Sequence, residues 1–211
     1  MPASPQFVHL HLHSEFSLID GTVRIKPLMK ATAEHGMSAV TITDQSNLFA
    51  LVKHHNTAIG AGIKPLFGAD LWLANEEAST NPFKIILLAK NETGYRSLTR
   101  IVSRAYLEGQ NHGVPIIEKH WLKDESSDLI ALSGAREGDI GNALLSGKKD
   151  LAEQLLDEWL LLFDDRFYIE LQRTQREHEE TYINLAIELA AKKQVPVVAT
   201  NDVRFLTKKE F

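Results

Sequence analysis

Short β-branched runs alternate along the chain with longer segments whose apolar residues recur every three or four positions. The runs Phe7–Leu12, Ala39–Thr43, Pro65–Leu73, Lys84–Ala89, Leu129–Leu132, Phe167–Leu171 and Val197–Ala199 read as strands. Between them lie helical patterns. "KPLMKATAEHG" stops at Gly36, a good residue just past a helix end, and "NLFALVKHHNTAIGAG" opens on Asn47 as a cap and closes in glycines. "GYRSLTRIVSRAYLEG" places Leu98, Ile101, Val102 and Ala105 on one helical face. "DLAEQLLDEWLLLF" and "EHEETYINLAIELAAKK" carry the strongest helical periodicity. Strand–helix–strand repetition predicts parallel pairing through right-handed crossovers, in a closed (β/α) barrel or an open doubly wound sheet. Both architectures bring polar residues to one end of the strands. No linker or internal repeat divides the 211 residues, so one domain over 1–211 is expected.

Composition narrows the function classes. Net charge is -5, which does not favour nucleic-acid binding through this domain's own surface. There is no cysteine, which removes disulfides and thiolate chemistry and suits a reducing cytoplasm. No apolar run reaches the roughly 20 residues a bilayer span requires, so no membrane partner is expected. "MPASPQ" lacks the features of a signal peptide, and "TNDVRFLTKKEF" stops abruptly, as expected of a piece of a longer chain.

The chemistry concentrates at the strand ends. In "FVHLHLHSEFSLIDG", alternate residues His9, His11 and His13 share one face of an extended chain, with Glu15 and Asp20 close behind. Imidazoles with carboxylates suit a divalent cation that polarises a phosphate and generates hydroxide. The plainer reading is histidines hydrogen-bonded in a polar cleft. "TITDQSN" adds Asp44, Gln45 and Asn47, "GAD" adds Asp70, and "SGAREGD" adds Arg136 and Asp139. Later strands add Glu170, Asp202 and Arg204. Outside this set, adjacent His54 and His55 point about 100° apart on a helix and suggest solvent or capping roles. His35 suits the negative end of its helix, and Trp72, Trp121 and Trp159 suit the core.

These motifs, with "ITDQSNLFALVKHHNTAIGAGIKPLFGAD", "LLAKNETGYRSLTRIVSRAY", "LSGAREGDIG" and "PVVATNDVRF", resemble the PHP (polymerase and histidinol phosphatase) domain carried at the N-terminus of bacterial replicative polymerase chains of the DNA polymerase III alpha type. The resemblance runs from Phe7 to the last residue. It implies a distorted seven-stranded (β/α), TIM-like barrel whose cleft holds up to three metal ions in complete members. It implies a polymerase active site on other domains of a longer chain, through which DNA is met, and docking of a separate proofreading exonuclease subunit. His11, His13, Asp20 and Asp202 match ligand positions of the family, and Asp70 stands where a complete site has glutamate. Gln45, Lys84 and Arg204 replace histidines, and Ala135 replaces a cysteine or histidine beside Arg136. Arginine cannot coordinate a cation, and lysine brings a positive charge of its own. The resemblance therefore implies a degenerate cleft, non-catalytic by itself. Its two cations neutralise Asp20, Asp70 and Asp202 where metals would sit. No cofactor is expected, with at most weak residual binding of Zn, Mn or Mg at His11, His13 and one aspartate. The alternative is a metal-dependent phosphoesterase, a 3′–5′ exonuclease or pyrophosphatase, with a reduced site.

Overall fold

The structure is a computed structural model and describes residues 7–75 and 81–210. Among the described residues, eight strands form one sheet: β1 Ala39–Ile42, β2 Lys64–Leu73, β3 Phe83–Ala89, β4 Gln110–Asn111, β5 Val114–Ile117, β6 Leu129–Leu132, β7 Phe167–Gln172 and β8 Val197–Thr200. Their order is β4-β5-β2-β3-β6-β7-β8, with β1 pairing the first half of β2. The described residues also form six α-helices that cover the sheet: α1 Ile25–Glu34, α2 Leu51–Gly60, α3 Glu92–Leu107, α4 Asp139–Leu145, α5 Lys149–Phe163 and α6 Glu179–Lys193.

The expected all-parallel pairing is corrected. β1–β2, β2–β5, β6–β7 and β7–β8 are parallel, but β3 runs antiparallel to β2 and β6 on its two sides. The reason is connection length. Too few residues separate Leu73 from Phe83 for a crossover helix, so the chain must return as an antiparallel neighbour. The expected first strand, Phe7–Leu12, is not a regular strand: it bends at His11 and forms one isolated bridge, Leu12 to Val203, followed by Ser14 to Val23 just beyond it. Its backbone is nevertheless bonded on both flanks, Thr41 N to His9 O and His13 N to Val203 O. The whole is a mixed α/β sheet consistent with a distorted TIM-like barrel. Asn47 does not cap α2. Ala50 does, while Asn47 Oδ1 accepts from Phe49 N and its Nδ2 donates to Phe16 O. The short β4, β5 and α4 carry too little periodicity to have been read from sequence.

Alternation along the strands sets two layers. Outward residues Leu71, Ile85, Leu87, Ala131, Phe167 and Ile169 pack under α3–α6, with Trp159 and Phe163 fully buried among them. Trp159 stacks on Phe167 with ring centres 5.6 Å apart. Its Nε1–H donates to the buried Asp139, which also faces Lys119 Nζ at 3.1 Å. Asp139, grouped by sequence with the cleft residues, therefore belongs to the outer layer. Inward residues Ile86, Leu88 and Leu132 form a small apolar layer with Leu10, Ile130, Tyr168 and Val198. A third cluster joins Leu12, Val23, Leu28, Val40 and Ile42 beneath α1 and α2. His54, expected at the surface, is fully buried there edge-on to Phe67.

Candidate functional site: an ion-paired cleft

The inward alternation that builds the apolar layer continues past it into polar residues. Ile86 on β3 pairs with Asp70 on β2, and two residues towards the start of β3 Lys84 pairs with Trp72. Glu170 lies two residues beyond the inward Tyr168, and Thr200 and Asp202 continue the face of Val198. Because β3 runs backwards, its first inward residue reaches the cleft rather than its last.

Opposite them, the opening segment is held in place by Asp44. Its Oδ1 accepts from Ser14 N at 2.6 Å and its Oδ2 from Ser14 Oγ at 2.8 Å. Gly21 closes the loop where a Cβ would meet Ser14 O at 2.2 Å, so glycine is required. His11 and His13 are thereby aimed inward and buried.

His11, His13 and Asp70 bring one ligand-type atom each within 4.8 Å of one another. His13 Nε2 lies 3.2 Å from Asp70 Oδ2. His11 Nε2 stands 3.5 Å from both Asp70 Oδ2 and Asp202 Oδ1, too long for a good hydrogen bond. On its other side, His11 Nδ1 lies 2.9 Å from Glu170 Oε1, which also accepts from Gln172 Nε2 and Thr200 Oγ1.

The cations sit on the same carboxylates. Lys84 Nζ is 3.2 Å from Asp70 Oδ2, the oxygen both histidines face, and 3.3 Å from Glu137 Oε2. Arg204 donates from Nε to Asp202 Oδ1 at 2.7 Å and from Nη1 to Asp20 and to His13 Nδ1. Two further members were not singled out by sequence. Arg176, in the loop after β7, lies 3.1 Å from Asp202 Oδ2 and 3.7 Å from Glu137 Oε1. Glu137 thus bridges two loops, and the only signal for either residue was the charge density of "SGAREGD" and "QREHEE". Arg136 faces Glu137 at 3.3 Å, away from the aspartates. Gln45 turns its Nε2 to the Asp70 carbonyl at 3.0 Å rather than to a carboxylate. Ala135, buried at φ +50°, offers no donor.

The protonation states follow from this packing. Burial opposes charging His11, but Glu170 and Asp70 outweigh it and raise its pKa to about 10. Burial likewise works against Asp70, yet Lys84 and the two histidines hold its carboxyl well below the usual range. Asp202 is lowered by His11 and Arg204 against the same burial, and Lys84 is raised by Asp70 and Glu137.

Asp70 Oδ2 thus faces the Lys84 ammonium, and Asp20 and Asp202 pair with the Arg204 guanidinium. Among the described residues, buried Asp70 Oδ1 and His11 Nε2 have no hydrogen-bond partner.

The mixed α/β sheet thus gathers histidines and aspartates at one end of its strands. The PHP domain family profile matches residues 9–174, and the chain belongs to that family. Among its relatives are the DNA polymerase III alpha subunits of Pseudomonas aeruginosa, 54% identical over 97% of this chain, and of Escherichia coli K12, 44% identical over 99%. The chain spans 18% of the length of each. Solved structures with the same fold include a protein from Bifidobacterium adolescentis described as a metal-dependent phosphoesterase. It has a TM-score of 0.61 and 13% identity, with 96% of this chain and 89% of that one covered. An amidohydrolase from Chromobacterium violaceum follows at TM-score 0.59 and 13% identity, with 93% and 87% covered.

Proposed function

We propose that this chain is the PHP domain of a replicative DNA polymerase III alpha subunit, in which ion pairs occupy the place of a metal centre. Its role is that of a scaffold for the other polymerase domains and a docking platform for the proofreading exonuclease subunit. DNA is met by other parts of the longer chain. One observation carries the reading: Lys84 and Arg204 contact all three cleft aspartates, Asp70, Asp20 and Asp202. Buried carboxylates cost several kcal/mol each when unpaired, so a cleft without metal needs such partners. On this reading the domain holds no cofactor and catalyses nothing by itself.

A second reading rests on the cluster of His11, His13 and Asp70. Three protein ligands and a water make a workable metal-hydroxide site, so a phosphoesterase with one Zn, Mn or Mg ion is the alternative. Elemental mass spectrometry on the purified chain after dialysis separates the two. Substoichiometric metal, with binding of the exonuclease subunit in a pull-down, supports the scaffold. One equivalent or more, with hydrolysis of a model phosphodiester abolished by chelator, replaces it with the enzyme.

A further inference from the structure

The loop Arg173–His178, between β7 and α6, carries Arg176 to the mouth of the cleft and is gathered at its base by one carboxylate. Glu179 Oε2 accepts from Thr174 N at 2.7 Å and from Arg176 N at 3.1 Å, and Oε1 accepts from Thr174 Oγ1. Glu179 is buried, at 4% exposure, in the first turn of α6, where a negative charge is favoured. Outside it, Arg173 forks onto Glu180 at 2.6 and 3.2 Å. The backbone between these anchors is not one that local sequence favours. Gln175 and His178 are left-handed, at φ +67° and +65°, without being glycine. Such a conformation persists where its surroundings impose it, and the Glu179 contacts do so here.

The tip is held differently. Arg176 reaches Asp202 Oδ2 at 3.1 Å and Glu137 Oε1 at 3.7 Å, and neither carboxylate depends on it. Asp202 keeps Arg204 on its other oxygen at 2.7 Å, and Glu137 keeps Lys84 and Arg136, each at 3.3 Å. The Arg176 and Glu137 side chains are 41% and 40% exposed, so water and salt weaken their contact. Release of the tip therefore orphans no buried charge. Loss of the base would strip two backbone N–H groups of their acceptor, which costs more.

We infer that Arg173–His178 is an ionic strap, hinged at Glu179, whose tip closes the cleft through Arg176 at low ionic strength and swings clear at high. Open, it uncovers Asp202, behind which His11 Nε2 stands at 3.5 Å. Glu179 is then a positioning residue that acts on the cleft through Arg176. The strap is built from the cleft's own loops and holds whether or not the chain serves a polymerase.

The chain has no cysteine, so spin labels at Glu177→Cys on the strap and Ser103→Cys on α3 report one distance. Double electron–electron resonance compares about 0.01 M with about 1 M NaCl, between which the Debye length falls from ~30 to ~3 Å. A narrow distribution is expected at low salt and a severalfold broader one at high salt. Arg176→Gln and Glu179→Gln should each be broad at both. The two combined should be no broader than Glu179→Gln alone, because one acts through the other. A distribution that ignores salt overturns the strap, as does Arg176→Gln that stays narrow at low salt. Glu179→Gln that stays narrow, or additive broadening in the double variant, overturns the hinge. Should Glu179→Gln fail to fold, the salt response and Arg176→Gln decide alone.

Discussion

Lys84 and Asp70 face each other at 3.2 Å across two antiparallel strands, the lysine 7% exposed and the aspartate not at all. The ammonium also lies 5.0 Å above the Trp72 ring, so a stable cation has been built into an interior position. This pair lies deeper than the pairings of Arg204 with Asp20 and Asp202.

Lys84→Met removes the ammonium from buried Asp70, leaving only the two histidines against it, and is expected to cost about 3 kcal/mol in urea unfolding. Lys84→Met combined with Asp70→Leu removes both charges and should recover most of that loss. If the double variant is as unstable as the single one, the pair is not what makes Lys84 important.

Lys84→His with Arg204→His exchanges two fixed cations for two ligands. In chelator the variant is expected to melt below wild type. With Zn or Mn added it should regain stability by mass action, because metal bound only by the folded state shifts the equilibrium. Melting in chelator at or above the wild-type temperature would show that the cations do not stand in for metal.

His11 sets the alkaline behaviour. Its folded pKa of about 10 lies above the unfolded value of 6.5, so its contribution is complete below about pH 6.5 and is lost as pH rises through 10. Asp70 and Asp202 act in the opposite sense: with lowered folded values, their contribution is present above the unfolded 3.8 and is lost as pH falls. A histidine-selective NMR titration should show the His11 ring unmoved between pH 6 and 8. A midpoint near or below 7 would contradict an imidazolium held between Glu170 and Asp70.

Gly21→Ala places a methyl group 2.2 Å from the Ser14 carbonyl, so the loop must shift to admit it. A loss of about 1–3 kcal/mol is expected by thermal unfolding.

Much of the site was legible because side-chain alternation survives in any extended chain. His11 and His13 share a face whether or not the segment forms a regular strand, and Lys84 sits on the face of β3 that reaches the cleft. The strand direction was not legible. Periodicity is blind to parallel or antiparallel pairing, and only the short return from Leu73 to Phe83 decides it. Arg176 and Glu137 escaped for a related reason. Their partners come from other loops, and a charged residue in a loop carries no mark of what faces it. Asp139 failed in the opposite way: adjacent in sequence to cleft residues, it begins α4 and turns outward to Trp159.

The segment that carries Asp202 and Arg204 lies alongside the opening histidines as a parallel neighbour, with Val203 N to His11 O, His13 N to Val203 O and Thr22 N to Arg204 O. In mechanical terms this is a shear clasp. Tension drawn forward along residues 203–206 against the backward pull of residues 9–13 loads these three bonds together instead of one after another. Arg204, Asp20 and Asp202 lie across the same line. The same contacts that close the cleft thereby resist force passing through the chain.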